Sequence, residues 1–177
     1  MTQDTAFLSI RDRRKQTTDN TGRLTTVLRK GDNRTTFTAP DGTVTTQVQG
    51  PDPRFGMQAP LLKSLTVQTP LGLTSSLTTT RAVTLTTPSD LLSLATQTDT
   101  LVINGRQYQS TFTQAAKTLT TTTPTGRTST VTLDAKGRVV QEQVTGLEPV
   151  AYAYDNFGRL STITQGTGGN LRASTLT

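Results

Sequence analysis

The chain of 177 residues contains no cysteine, no histidine and no tryptophan. Without cysteine there is no disulfide framework and no thiolate chemistry. Without histidine, the commonest general base and the commonest metal ligand are both missing. Aromatic residues make up 5% of the chain and apolar residues 31%, a small supply for a compact globule. With a net charge of +6 the composition still does not read as disorder, and the length suffices for one domain with a core. No apolar run reaches the roughly 18 residues of a membrane-spanning helix. The opening residues, "MTQDTAFLSIRDRRKQ", lack a basic segment followed by an apolar one, so no signal peptide is read there. No phosphate-binding glycine loop is present either. "GTGGN" (Gly166 to Asn170) has neither the lysine nor the following helix of such a cradle, and reads as a loop.

What the chain has in excess is threonine, 42 residues of it. Threonine is β-branched and suits a pleated, half-wet surface. Its abundance predicts an all-β protein with much of each sheet in contact with water. The patterning agrees. "STVTLD" puts Val131 and Leu133 on one face and Thr130 and Thr132 on the other, and "SLTVQT" and "AVTLTT" alternate in the same way. This is the period-two signature of half-buried strands.

Turn signals separate the alternating runs. They include "DNTG" (Asp19 to Gly22), "KGDN" (Lys30 to Asn33), "PDGT" (Pro40 to Thr43), "TPLG" (Thr69 to Gly72), "TPTG" (Thr123 to Gly126) and "DNFG" (Asp155 to Gly158). Most neighbouring signals lie about 8–12 residues apart, the spacing of short antiparallel strands. Asn104-Gly105 sits between two strand-like runs and predicts a hairpin, because both central residues of that turn need positive φ. The one helix-like stretch, "TQAAKTL", has threonines on both sides and reads as a turn. "PDPRFGMQAPLLK" (Pro51 to Lys63) breaks the rhythm. Its three prolines argue against a central strand, so residues 50–63 read as an irregular connection within a single domain spanning residues 1–177.

One motif repeats. Asp-x-x-Gly-Arg followed by Leu or Val occurs at Asp19 to Leu24, Asp134 to Val139 and Asp155 to Leu160, the last two 21 residues apart. Shortened forms at Asn104 to Arg106 and Thr125 to Arg127 are also 21 apart. A fixed period marks a repeat architecture. The spacing has a local reason. Asp at the first turn position accepts a hydrogen bond from the backbone two residues on. Gly at the fourth position takes the left-handed conformation that admits a bulge. The motif residues are therefore Asp19, Gly22 and Arg23; Asp134, Gly137 and Arg138; and Asp155, Gly158 and Arg159. Tyr152 and Tyr154 share one face of the strand entering the last copy, where large rings can stack on the next unit.

The pattern resembles the YD repeat of the RHS family, which includes teneurin shells and components of insecticidal toxin complexes. Tyr152, Tyr154, Asp155, Gly158, Arg159 and Leu160 carry the resemblance. Asp19, Gly22, Arg23 and Leu24, and Asp134, Gly137, Arg138 and Val139, repeat it without the tyrosines. The resemblance implies antiparallel β-hairpin repeats forming a curved, spiralling sheet, which would make this chain a partial YD-repeat shell within a larger protein. It implies flanking RHS repeats as neighbours and an enclosed toxin or effector domain as cargo. It also implies a secreted or bacterial cell-surface location. The self-cleaving segment of the family has no match here.

No spacing nominates a catalytic pair, a metal site or a cofactor site, and the chain reads as no enzyme. The remaining candidate is a basic cluster, Arg11, Arg13, Arg14 and Lys15. It is a candidate anion-binding patch, although Asp12, Asp19 and Asp32 dilute it. No aromatic residue lies among these bases in sequence, so nucleic acid is not the expected partner. Two functions follow. One is a structural wall that encloses or presents a toxin domain. The alternative is a cell-surface binding module or adhesin that uses a basic, threonine-rich sheet face. Open strand edges would favour self-association.

Overall fold

The computed structural model describes residues 1–8, 11–166 and 168–176. Fifteen strands and one 3-10 turn, Gly168–Asn170, account for their regular structure. The strands are β1 (Thr2–Phe7), β2 (Arg13–Thr18), β3 (Leu24–Arg29), β4 (Arg34–Thr38), β5 (Val44–Asp52), β6 (Gly56–Gln68), β7 (Thr74–Leu85) and β8 (Leu94–Ile103). Then come β9 (Arg106–Thr113), β10 (Thr118–Thr122), β11 (Thr128–Leu133), β12 (Val139–Val144), β13 (Val150–Tyr154), β14 (Leu160–Gln165) and β15 (Arg172–Thr175). They follow one another in chain order through one sheet. Each strand pairs with its sequence neighbours, which is what short turns between alternating runs dictate. The order runs from β1 to β15 without joining the two, so the sheet is open. The protein is all-β, as its threonine content and period-two patterning predict.

The chain divides into two compact units. One comprises Met1–Arg81 with Leu101–Arg106, the other Ala82–Thr100 with Gln107–Thr177. In the first unit, cross-strand register sorts side chains by face. One row runs Lys15, Val27, Phe37, Thr45 and Val67. A row on the other face runs Arg14, Leu28, Thr36, Thr46 and Thr66. The second unit is sorted in the same way. Phe112, Leu119 and Val131 share one row, while Thr111, Thr120 and Thr130 share a row on the opposite face. The hydroxyls of Thr98 and Thr111 hydrogen-bond at 3.1 Å, and those of Thr120 and Thr130 at 3.4 Å. Cross-strand threonine pairs of this kind stabilise a wet sheet face.

The expectation of a core is corrected. Among the described residues no hydrophobic side chain is buried. Within each unit the apolar rows stay partly exposed. Within each unit, backbone ladders and cross-strand pairs therefore carry the stability.

The reading of residues 50–63 as an irregular connection is corrected too. β5 and β6 pair with each other through this region, and Asp52 lies opposite Gly56 across a tight turn. The prolines are tolerated because the register shifts around them. Gly50 pairs with Leu61 and Asp52 with Gly56, while Pro51 and Pro60 fall outside the ladder pairs. A proline at a bulge forfeits no ladder hydrogen bond. The Asn104-Gly105 hairpin forms with φ of 48° and 81°. "TQAAKTL" makes a turn at residues 114–117.

Candidate functional site

The three repeat motifs build one turn. In each, the Asp amide donates to the Arg carbonyl, and the Gly amide donates back to the Asp carbonyl. For Asp134 the distances are 2.8 and 3.1 Å, for Asp155 2.8 and 2.9 Å, and for Asp19 3.1 and 3.2 Å. Gly22, Gly137 and Gly158 have φ of 80°, 78° and 83°. This is a three-residue hairpin loop closed by a left-handed residue. Because the Asp carbonyl is already used, the amide of the fifth residue needs another acceptor. The Asp side chain supplies it: Oδ1 accepts from Arg23 at 3.0 Å, from Arg138 at 3.0 Å and from Arg159 at 2.8 Å. It also takes the amide two residues on, at 2.7–2.9 Å.

The same backbone ring recurs at four places where the motif is absent: Lys30 to Arg34, Ala39 to Thr43, Thr69 to Leu73 and Thr123 to Arg127. In every one a side-chain oxygen still captures the fifth amide. Thr69 and Thr123 do so through Oγ1, each at 3.1 Å. Asp32 and Asp41 do so from the third turn position, at 3.1 and 2.9 Å. Asn33, with φ 64°, occupies the glycine position of the Lys30 to Arg34 turn. The repeat is thus preserved in hydrogen bonding where it has decayed in sequence. Sequence reading sees only the copies that spell Asp-x-x-Gly-Arg.

The carboxyl groups respond to these donors. The Arg138 amide, together with the Arg138 guanidinium, holds Asp134 below the ordinary aspartate value. The Arg159 amide does the same for Asp155. The Thr21 hydroxyl, followed by the Arg23 and Thr21 amides, lowers Asp19.

The arginine links one repeat to the next. Arg138 donates through Nε to Asp134 Oδ2 at 2.7 Å, and its Cζ stands 4.2 Å from the centre of the Tyr154 ring. The Tyr154 hydroxyl donates to the Val139 carbonyl at 2.8 Å. The Tyr152 hydroxyl donates to Glu142 Oε2 at 3.1 Å, and burial followed by Glu142 raises that phenol above its ordinary value. Both tyrosines therefore reach back from β13 onto β12 and the preceding turn. In the last copy Arg159 holds Asp155 at 2.8 Å and lies 5.3 Å from the centre of its own turn's Phe157 ring.

Asp52, inside the stretch that the sequence reads as an irregular connection, is 4% exposed. Its Oδ1 accepts from the amides of Arg54 and Phe55 at 2.7 and 3.1 Å. Its Oδ2 meets Arg81 Nη1 at 3.1 Å. Burial pushes its pKa up, but the two amides and Arg81 outweigh that and leave it lowered. The side chain ties the tip of the β5–β6 hairpin to β7.

The basic cluster divides between the two faces of β2. Arg13 and Lys15 lie on one face of β2, while Arg14 pairs across to Leu28 on the other. Arg11 lies outside the strand. Arg29 joins Arg13 instead, directly opposite it on β3. Arg13, Lys15, Val27 and Arg29 line a hollow of about 200 Å³.

A family model described as Teneurin YD-shell matches residues 3–172. No curated protein matches the chain.

Proposed function

The chain belongs to the Teneurin YD-shell family, and we propose that it is a wall segment of an RHS-type shell that encloses or presents a toxin or effector domain. The observation that carries this reading is the link between consecutive 21-residue units, with Arg138 of one turn against Tyr154 of the next. A contact of this kind between neighbouring hairpin units supports a wall that extends by adding hairpins. On this reading the segment has no chemistry of its own, its neighbours are further repeats, and the parent protein is secreted or displayed on a bacterial surface. Among the described residues no helix is long and apolar enough to cross a membrane.

Limited proteolysis of the parent protein tests the enclosing role. A domain carried by the shell should resist protease while the wall is intact. It should become cleavable in a Gly158→Val variant, which strains one turn of the wall. A domain cleaved equally in both would refute enclosure. The alternative, a surface-binding module, is favoured by one specific feature, the hollow between Arg13 and Arg29.

A further inference from the structure

The pairing of Arg13 with Arg29 is electrostatically unfavourable. The two face each other directly across β2 and β3, about 5 Å apart at the backbone. Like charges directly opposite destabilise a sheet. Lys15 adds a third cation one step along the same face, opposite Val27. None of the ion pairs among the described residues involves Arg13, Lys15 or Arg29. On this face of β1 to β4, no Asp or Glu occupies an alternating position. Three uncompensated cations thus surround a hollow with Val27 in its wall.

The rest of the face has its own chemistry. Phe7, 77% exposed, lies opposite Arg13. Thr5 lies opposite Lys15, and Thr17 opposite Thr25. The face therefore offers cations, two exposed rings, Phe7 and Phe37, and a set of hydroxyls within four strands.

We propose that this face binds a sulfated polysaccharide, with Arg13, Lys15 and Arg29 holding sulfate groups. Phe7 covers a sugar ring, and the threonine hydroxyls meet sugar hydroxyls. The site stands apart from the shell reading and does not depend on it. A single-stranded nucleic acid fits less well, because successive bases need a series of neighbouring rings, and Phe7 and Phe37 stand in different rows, on β1 and β4. A flat anionic membrane fits less well, because the cations line a hollow.

Heparin serves as the probe, with binding measured by calorimetry on the full chain at low salt. The chain should bind, and the affinity should fall as salt screens the contacts. The double variant Arg13→Gln/Arg29→Gln should bind at least about tenfold more weakly, as loss of charge-assisted contacts implies. Arg14→Gln, on the opposite face, should leave binding unchanged. Arg29→Gln alone should raise the melting temperature, because it relieves the like-charge pair. That gain separates a ligand site from a structural role. Equal losses in the Arg14 and Arg13/Arg29 variants would mean attraction by net charge alone and overturn the site. Tighter binding to single-stranded DNA or to anionic vesicles than to heparin would overturn the ligand class. A lower melting temperature in Arg29→Gln would overturn the electrostatic premise.

Discussion

Replacing Gly137 with valine isolates the conformational demand of the repeat turn. Gly137 has φ 78°, and a Cβ added there would meet nothing within 4 Å. The cost is therefore backbone strain, with no clash to repack around. An L-residue in the left-handed region pays about 1–2 kcal/mol, and a β-branched side chain sits at the upper end or beyond it. For a chain of this size each kcal/mol moves the melting temperature by about 2–4 °C, so Gly137→Val should lower it by roughly 4–8 °C. The protein contains its own control. Asn33 fills the equivalent position in the Lys30 to Arg34 turn at φ 64°, and asparagine tolerates that region better than other L-residues. Gly137→Asn should consequently cost well under half of what Gly137→Val costs. Thermal melting followed by circular dichroism reads both. Equal losses in the two variants, or no loss in the valine variant, would refute the turn geometry as the source of the repeat.

Two further outcomes follow from the contacts. In a double-mutant cycle, Arg138→Gln and Tyr154→Leu should couple by about 0.5–1 kcal/mol, the range of a partly exposed cation–ring pair; zero coupling in melting would mean that the repeats are not joined through this contact. The lowered carboxyl groups predict acid sensitivity with a defined sign. Asp19, Asp41, Asp52, Asp134 and Asp155 all fall below the ordinary aspartate value of 3.8 when folded, so their contribution is complete above 3.8 and is lost as pH falls through their folded values. Melting temperature should hold steady near neutrality and drop below pH 3.8, with a shallower drop in Asp52→Asn; a profile unchanged through that range would contradict it.

Much of this protein was legible from local chemistry. A β-branched, alternating chain with glycine, asparagine and aspartate at short intervals can satisfy its backbone only as hairpins, so strand class and strand order were determined residue by residue. A symmetric turn also sets register. Closing Asp19 on Arg23 places Arg13 opposite Arg29, so that pair was computable from the turn alone. Other features were decided only by the fold. The four turns without the motif keep its hydrogen bonds through Thr69, Thr123, Asp32 and Asp41, because the fifth amide accepts any oxygen within reach and the sequence need not spell the same residue. The prolines of residues 50–63 lie inside a hairpin because bulges shift them out of the ladder, and a bulge depends on the partner strand. Asp52 is buried by Arg81, 29 residues away. Alternation within one strand determines which side chains share a face. Only the pairing of strands determines which of them meet, since a register shift of one residue would send each to the other side.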